Sequence, residues 1–428
     1  MNILILGAGG REHALAWKLW QSPLCTQLYI APGNGGTLQY GTNLNFGVND
    51  FAALKQCCTD NAIDMVVVGP EDPLVNGVYD FVVNDASLKH IIVVGPSKES
   101  AQLEGSKAFS KKFMKRHNIP TAAYEEFTQN NYEAGKAYLR KHALPVVLKA
   151  DGLAAGKGVV ICQTHEEALE VFGEMIINKQ FGDASTKVVV EQFLDGIEIS
   201  VFALTDGKDY KIIGHAKDYK RIGEGDTGLN TGGMGCVSPV PFADDAFMQK
   251  VIGTIIDPTI VGLHKENLTY KGFVFFGLIK VGNEPFVIEY NCRMGDPETE
   301  VVLPRLENDL VALFVQMHNG TLKDASIKFS PKAAVTVMAV SGGYPGVYKK
   351  GTAIQLPQIA VNKENTMIFQ AGTLLDKTNG LVTNGGRVIT VTAMHNTLTE
   401  AAKAAKAVVD QIQFDGKYYR RDIGYEFE

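Results

Sequence analysis

Four short apolar runs, each stopping at a loop rich in glycine and proline, constrain this chain more than any other feature in it. Residues 2–6 (NILIL) run into Gly7-Ala8-Gly9-Gly10. A run near 28–30 ends at Ala31-Pro32-Gly33-Asn34, one over 64–68 at Gly69-Pro70-Glu71-Asp72, and one over 91–94 at Gly95-Pro96. Helical periodicity lies between them, first from about Arg11 to Trp20. Continuous apolar runs of this length suit strands buried on both faces. Their alternation with helices predicts a doubly wound parallel sheet. Such sheets bind ligands beyond the carboxyl ends of their strands, so residues 1–104 read as a small α/β binding domain.

The chain has 428 residues, too many for one core, so several domains are expected. A helical stretch after Gly105 leads to strands over 146–149 and 159–162, a helix over 165–177 and a strand over 187–190. A long mixed segment follows to about Ser330. The last hundred residues carry strands over 334–340, 368–371 and 388–392 and a helix over 398–412. The expected class is therefore α/β multidomain. Net charge is −6 with no block of like charges, which argues against a nucleic-acid partner. The longest apolar stretch, 273–279, is strand-sized, so no membrane span is expected. The six cysteines show no CxxC spacing, and the N-terminus shows no signal-type apolar run. Reduced thiols and a cytoplasmic protein are the expectation.

Two glycine loops invite misreading. Gly7-Ala8-Gly9-Gly10 sits between a strand and a helix, but the dinucleotide fingerprint needs glycine where Glu12 stands. It also needs an acid at the end of the second strand, where Ala31-Pro32-Gly33-Asn34 stands. A nicotinamide dehydrogenase is disfavoured on both counts. What remains is a tight turn without a ligand, or a site where backbone amides and the helix N-terminus hold a substrate phosphate. Residues 152–158 (GLAAGKG) miss the P-loop by one residue of spacing and by Gly158 in place of Ser/Thr, and the loop joins two strands. It reads instead as a glycine flap whose amides and Lys157 close over a polyphosphate. Lys149, on the strand entering the flap, and Lys107, in a helix, are further phosphate cations; a solvated surface charge is the plain alternative for each.

Residues 286–293 (FVIEYNCR) alternate with period two, so Glu289, Asn291 and Arg293 fall on one strand face. Three polar groups beside an apolar strand are costly to bury without a ligand. A carboxylate and an amide oxygen suit Mg²⁺, and Arg293 suits a transferring phosphoryl group or a carboxylate. A solvated strand face is the competing explanation. Residues 188–198 run from a strand into a turn. They either present backbone groups to an adenine edge, with Glu198 accepting from ribose, or form an ordinary strand end with solvated acids.

In this order the strings GAGGREHALAWK (7–18), APGNGGT (31–37), VGPEDPLV (68–75), QLEGSKAF (102–109), KADGLAAGKGVV (149–160), DTGLNTGGMG (226–235), IEYNCRMGDPETE (288–300), SGGYPG (341–346), TNGGRV (383–388) and RDIG (421–424) are specific. The chain resembles, over essentially its whole length, the phosphoribosylamine–glycine ligase family of the ATP-grasp superfamily. The resemblance implies an N-terminal domain over 1–104, an ATP-grasp core over 105–330 with a lid over about 122–192, and a C-terminal α+β domain over 331–428. It implies that Lys107, Lys149 and the flap (Gly152, Gly156, Lys157, Gly158) hold ATP phosphates. Glu191, Gln192, Phe193 and Leu194 would hold adenine, Glu198 ribose, and Glu289 and Asn291 Mg²⁺ or Mn²⁺. Arg293, Lys149 and Lys157 would serve catalysis. Phosphoribosylamine would lie against Gly10, Arg11, Gly33, Asn34, Pro70, Glu71, Asp72, Asp218, Lys220, Arg221, Gly233, Met234 and Arg293.

The implied reaction joins glycine to 5-phosphoribosylamine with ATP cleaved to ADP and phosphate, through an acyl phosphate, in purine synthesis. The lability of the aminosugar raises the expectation of a transient contact with the enzyme that supplies it. The chain departs from the family at Gln192 and Ile197, where acids are usual, at Leu229 for proline and at Met294 for phenylalanine. The strand over 272–281 lacks the second metal carboxylate of many ATP-grasp enzymes. Two rivals stand beside this reading: an ATP-grasp ligase for other substrates, and a nucleotide-binding regulator without turnover. The polar face of Glu289, Asn291 and Arg293 weighs against the second.

Overall fold

The computed structural model describes residues 1–154, 158–357 and 365–427. Its first hundred residues give β1 (Asn2–Gly7), α1 (Gly10–Trp20), β2 (Gln27–Pro32), β3 (Thr42–Asn43), α2 (Phe51–Asp60), β4 (Met65–Val68), α3 (Glu71–Asn76), α4 (Val78–Asn84) and β5 (Ile92–Pro96). These five strands are parallel, in the order β3-β2-β1-β4-β5. Leu4, Leu6 and Val66 pack into one core, while Ile3, Ile5 and Val67 pack into another on the opposite side. That two-sided burial is why the runs are continuously apolar. Chain order reverses between β1 and β4, and there a crevice opens over the strand ends.

After α5 (Gln102–Gly105) and α6 (Lys107–Arg116), a small unit stands apart. It contains β6 (Tyr124–Thr128), α7 (Tyr132–Leu139), β7 (Val146–Ala150), β8 (Val159–Cys162), α8 (His165–Ile176) and β9 (Lys187–Gln192). Its antiparallel sheet, β6-β9-β7-β8, has its own core around Phe127, Leu148, Phe172 and Val190. The main body resumes with β10 (Ile197–Thr205), β11 (Tyr210–Asp218), a hairpin of β12 (Arg221–Gly223) and β13 (Thr227–Asn230), and β14 (Gly235–Ser238). Then come α9 (Asp245–Val251), α10 (Asp257–Lys265), β15 (Tyr270–Val281), β16 (Glu284–Asn291), α11 (Thr299–Arg305) and α12 (Leu310–Asn319). The C-terminal part holds β17 (Ala333–Val340), β18 (Thr366–Gln370), β19 (Thr373–Asp376), β20 (Gly380–Thr383), β21 (Arg387–His395) and α13 (Leu398–Val409).

One 13-stranded sheet runs through all three parts. β5 meets β15 at Pro96↔Tyr270 and Gly95↔Lys271, and β14 lies between β11 and β17. This continuity is not visible in local sequence patterns. Among the described residues, the stretch Asp245–Lys265 is the one helix long and apolar enough to cross a membrane. Its apolar face (Phe247, Val251, Ile255, Ile260, Leu263) is already spent on the core beside β10 and β15.

Candidate active site

A cleft of about 450 Å³ opens where the N-terminal unit, the small lid-like sheet, the central strands and β21 converge. That volume is within the ordinary range for small-molecule sites. Its floor is built by strand register. Ala216, Ser200, Gly277 and Glu289 stand level across β11, β10, β15 and β16. The register slips between Gly277 and Leu278, so Ile288 is an extra residue in β16. This bulge separates the faces of neighbouring alternate residues. Val287 and Tyr290 go to the core, while Glu289, Asn291 and Arg293 line the cleft. A Cβ on Gly277 would approach the Glu289 side chain to 3.0 Å, so glycine leaves room on the floor.

The roof carries the lysines. Period two in β7 and β9 sends Val146, Leu148, Val188 and Val190 into the lid core and turns Lys149 and Glu191 to the cleft. Glu191 Oε2 lies 2.9 Å from Lys149 Nζ and 3.1 Å from Lys111 Nζ, and all three side chains are buried. Burial opposes the Glu191 charge, but Lys149 and Lys111 outweigh it and its pKa falls. Burial pulls Lys111 down to about 8 against the attraction of Glu191, and it lowers Lys107 as well. Glu191 Oε1 is buried without a hydrogen-bond partner. Lys107 Nζ donates to Gly152 O at 3.2 Å, at the start of the flap, and Gly158 lines the cleft. Gly156 and Lys157 lie outside the described residues.

Arg293 is held from two sides. Its Nη2 is 2.7 Å from Glu104 Oε1, and its Nε is 3.3 Å from Glu71 Oε2. Burial pushes Glu104 up to about 7, with Arg293 opposing. Glu71 is also opposed by burial, yet Arg293 and Arg11 carry its pKa below the usual value. Lys220 pairs with Glu198 at the open side of the cleft. Glu298 accepts from Ser200 Oγ at 3.3 Å; burial first and Asp218 second push it up to about 7. Arg387 reaches over from β21 to Asp296, with Nη2 3.1 Å from Oδ1, and donates to Gly232 O at 2.6 Å.

Of the residues singled out from sequence, Arg11, Pro70, Glu71, Lys107, Lys149, Gly158, Glu191, Glu198, Asp218, Lys220, Glu289, Asn291 and Arg293 line this cleft. Others do not. Asn34 is a structural junction: Nδ2 donates to Ala8 O at 2.9 Å and Gln370 O at 2.7 Å, while Oδ1 accepts from the Gly36 and Thr37 amides. Gly33, at φ +71°, packs against Asn43. Met234 is fully buried with Met338 and Val340. Arg221 donates to Gly228 O within its own hairpin. Gly233 packs on Pro297 and Arg387. Asp72, Gln192, Phe193 and Leu194 lie outside the lining.

The Gly7–Gly10 loop also departs from the phosphate reading. Gly9 N donates to Glu12 Oε2 at 2.5 Å and Arg11 N to Asp296 Oδ2 at 3.3 Å. Glu300 Oε1 stands where a Cβ of Gly10 would be. Carboxylates already occupy this helix end, which explains why Glu12 stands where a dinucleotide site needs glycine. The cleft residues missed from sequence are Glu104, Lys111, Asp296, Glu298 and Arg387. Glu104, Asp296, Glu298 and Arg387 lie in strings quoted above, but their partners are remote in sequence.

The donor set fits a hard divalent cation. Among the described residues, the side chains of Glu289 and Asn291 take no hydrogen bond or ion pair. They offer oxygen donors at one end of a lysine-lined cleft, the arrangement for a metal that completes its shell with phosphate oxygens. No group of three or more His, Cys, Asp or Glu side chains suited to a metal is found among the described residues.

Family models agree with this architecture. Those described as the N, ATP-grasp (A) and C domains of phosphoribosylglycinamide synthetase match residues 1–104, 105–299 and 334–426. The phosphoribosylamine–glycine ligase of Haemophilus influenzae is 46% identical over 429 residues, covering 99% of this chain and 98% of its own length. That of Vibrio cholerae is 47% identical over 431 residues, with the same coverage. The crystal structure of the phosphoribosylamine–glycine ligase from Thermotoga maritima superposes with a TM-score of 0.85 at 35% identity, covering 99% of this chain and 100% of that one. With three domain models in order along nearly its whole length and the cleft where those domains meet, the chain belongs to the phosphoribosylglycinamide synthetase family of ATP-grasp ligases.

Proposed function

We infer that this chain joins glycine to 5-phosphoribosylamine, cleaving ATP to ADP and phosphate and giving glycinamide ribonucleotide for purine synthesis. The observation that carries the reading is one cleft holding a free carboxylate and amide (Glu289, Asn291), a guanidinium (Arg293) and two lysines (Lys107, Lys149). Glu289 and Asn291 would hold Mg²⁺, or Mn²⁺, which when bound supplies charge neutralisation at the phosphates. Lys107, Lys149 and the flap, including Gly152, Gly156, Lys157 and Gly158, would carry the phosphates. The orphaned Glu191 Oε1 is an acceptor available to the amino group of adenine.

The chemistry runs in two displacements. A glycine carboxylate oxygen bonds to the γ-phosphorus as the bond to the ADP oxygen breaks. Lys149 and Arg293 offset the charge on the equatorial oxygens. The amine nitrogen then bonds to the acyl carbon, the carbon–oxygen bond to phosphate breaks, and one amine proton is released. Glu104 and Glu71 hold the guanidinium of Arg293 in place for the first step. The lid sheet over the cleft keeps water from the acyl phosphate. The six cysteines are free thiols, in keeping with a reducing cytoplasm. A labile aminosugar substrate fits delivery through a transient contact with the enzyme that makes it.

Glycine labelled with ¹⁸O in its carboxylate tests the bond that moves. The label should appear in inorganic phosphate, with unlabelled ADP as the nucleotide product, and release of ADP should require glycine. Label in AMP, with pyrophosphate formed, would refute attack at the γ-phosphate.

A further inference from the structure

The hairpin β12–β13 is exposed, yet its root forms one wall of the cleft. Thr231 closes it by donating to Lys220 O through both its amide (2.7 Å) and its hydroxyl (2.8 Å). Lys220 and Gly232, at its base, both line the cleft. Residues Thr227–Asn230 are all exposed, and Leu229 is 65% exposed. A two-stranded ribbon of this size is not stable by itself. What holds it comes from the far end of the chain.

Arg420 is fully buried and forks between two carboxylates. Its Nη1 lies 2.6 Å from Asp226 Oδ1, in the hairpin turn, and its Nη2 2.8 Å from Asp422 Oδ2. Nη1 also donates to Arg221 O at 3.1 Å, and the guanidinium lies 5.3 Å from the centre of the Tyr219 ring. Four more contacts run the same way. Gly225 N donates to Asp422 Oδ2 at 2.7 Å, and Arg421 N to Glu224 Oε1 at 3.1 Å. The Tyr418 hydroxyl donates to Ile222 O at 2.9 Å, and that of Tyr425 to Asp226 Oδ2 at 3.2 Å. Glu426 then ties β11 itself, accepting from the Tyr219 hydroxyl at 2.6 Å and lying 2.5 Å from Lys217 Nζ. Asp218, between those two anchors, lines the cleft.

We propose that the C-terminal segment 418–426 is a strap that sets the substrate wall at Asp218, Lys220 and Gly232, with Arg420 as its positioning residue, acting through Asp226 on the side of the cleft that receives the phosphorylated amine. Among the described residues, the strap makes no hydrogen bond or ion pair with Lys107, Lys149, Glu191, Glu289 or Asn291. Its one route toward the nucleotide side is Lys220, which pairs with Glu198, so its main effect falls on the amine substrate. The argument rests on the reaction inferred above for the identity of that substrate.

Asp226 is the place to cut the strap. Its φ of +54° is a conformation that glycine accepts without strain and asparagine tolerates. Asp226→Gly removes the carboxylate and leaves the buried Arg420 its second partner, Asp422. The expected result is a KM for freshly generated phosphoribosylamine raised about tenfold, roughly one charge-assisted hydrogen bond. The KM values for ATP and glycine and the kcat should stay near wild type. Asp226→Asn, which keeps an acceptor for Arg420, should recover most of the affinity. Hydrogen exchange of amides 221–230 should quicken in Asp226→Gly and not in Asp226→Asn. An unchanged KM for the amine beside faster exchange would overturn the proposal, as would an equal loss for all three substrates or unaltered exchange. Wild-type protein without turnover on these substrates would instead refute the inferred reaction, and the exchange data would still judge the strap.

Discussion

Glu191→Gln should separate the anion that holds the roof lysines from the lysines themselves. In the structure one carboxylate oxygen serves both Lys149 and Lys111, whose side chains are 7% and 2% exposed. The amide keeps the shape and removes the charge, leaving two ammonium groups buried without their counterion. Breaking a buried pair by neutralising one partner costs about 3–5 kcal/mol. Urea denaturation at pH 7 should show a loss of that order. The pH dependence has a definite sign. Lys111 already sits at about 8 through burial, below its unfolded value, so between about pH 8 and the ordinary lysine range the unfolded chain binds more protons. Stability therefore rises with pH across that window. Without Glu191 the folded pKa falls further, the window opens at lower pH, and the deficit of the variant shrinks as pH rises. The KM for ATP should increase as Lys111 loses its charge. Equal stability at pH 7, or a deficit that grows with pH, would refute Glu191 as the counterion.

Glu289→Ala should leave the fold intact and lower kcat/KM by about a thousandfold, the scale of one lost metal ligand; near-normal turnover at saturating Mg²⁺ would remove Glu289 from the metal site. Asn34→Ala strips partners from Ala8 O, Gln370 O and two loop amides. It should cost about 3 kcal/mol or more in thermal or chemical denaturation, with kcat and KM per folded molecule unchanged. A raised KM for phosphoribosylamine at normal stability would return Asn34 to the substrate site.

The parts of the site legible in sequence are those that local periodicity decides. Alternation in β7 and β9 puts Lys149 and Glu191 on the face opposite Leu148 and Val190. Alternation after Ile288 groups Glu289, Asn291 and Arg293. The Gly/Pro loops mark the strand ends of the parallel sheet. In each case the controlling contact is with a neighbour on the same or the next strand, so spacing carries the information. Glu191 is legible only in part: the strand end points to its backbone, whereas the side chain, on the cleft face by the same period-two rule, is the shared anion of two lysines.

What was not legible depends on groups brought together from distant parts of the chain. Asn34 reads as a loop residue at a strand end, where ligands bind, until Gln370 arrives to take its amide. Glu104, Asp296 and Arg387 each look like lone solvated charges, because the desolvation that makes them matter comes from domains packing on one another. Arg420 is the extreme case. It lies in an exposed-looking charged string near the C-terminus, yet no part of it is exposed, and it serves carboxylates 194 and 2 residues away. A buried guanidinium is tolerated only when its fork is filled, so its burial is itself the evidence that the tail and the hairpin were built as one piece. The residues that form the floor and roof of the cleft are thus specified strand by strand, whereas those that hold its walls in register are specified only by the assembled chain.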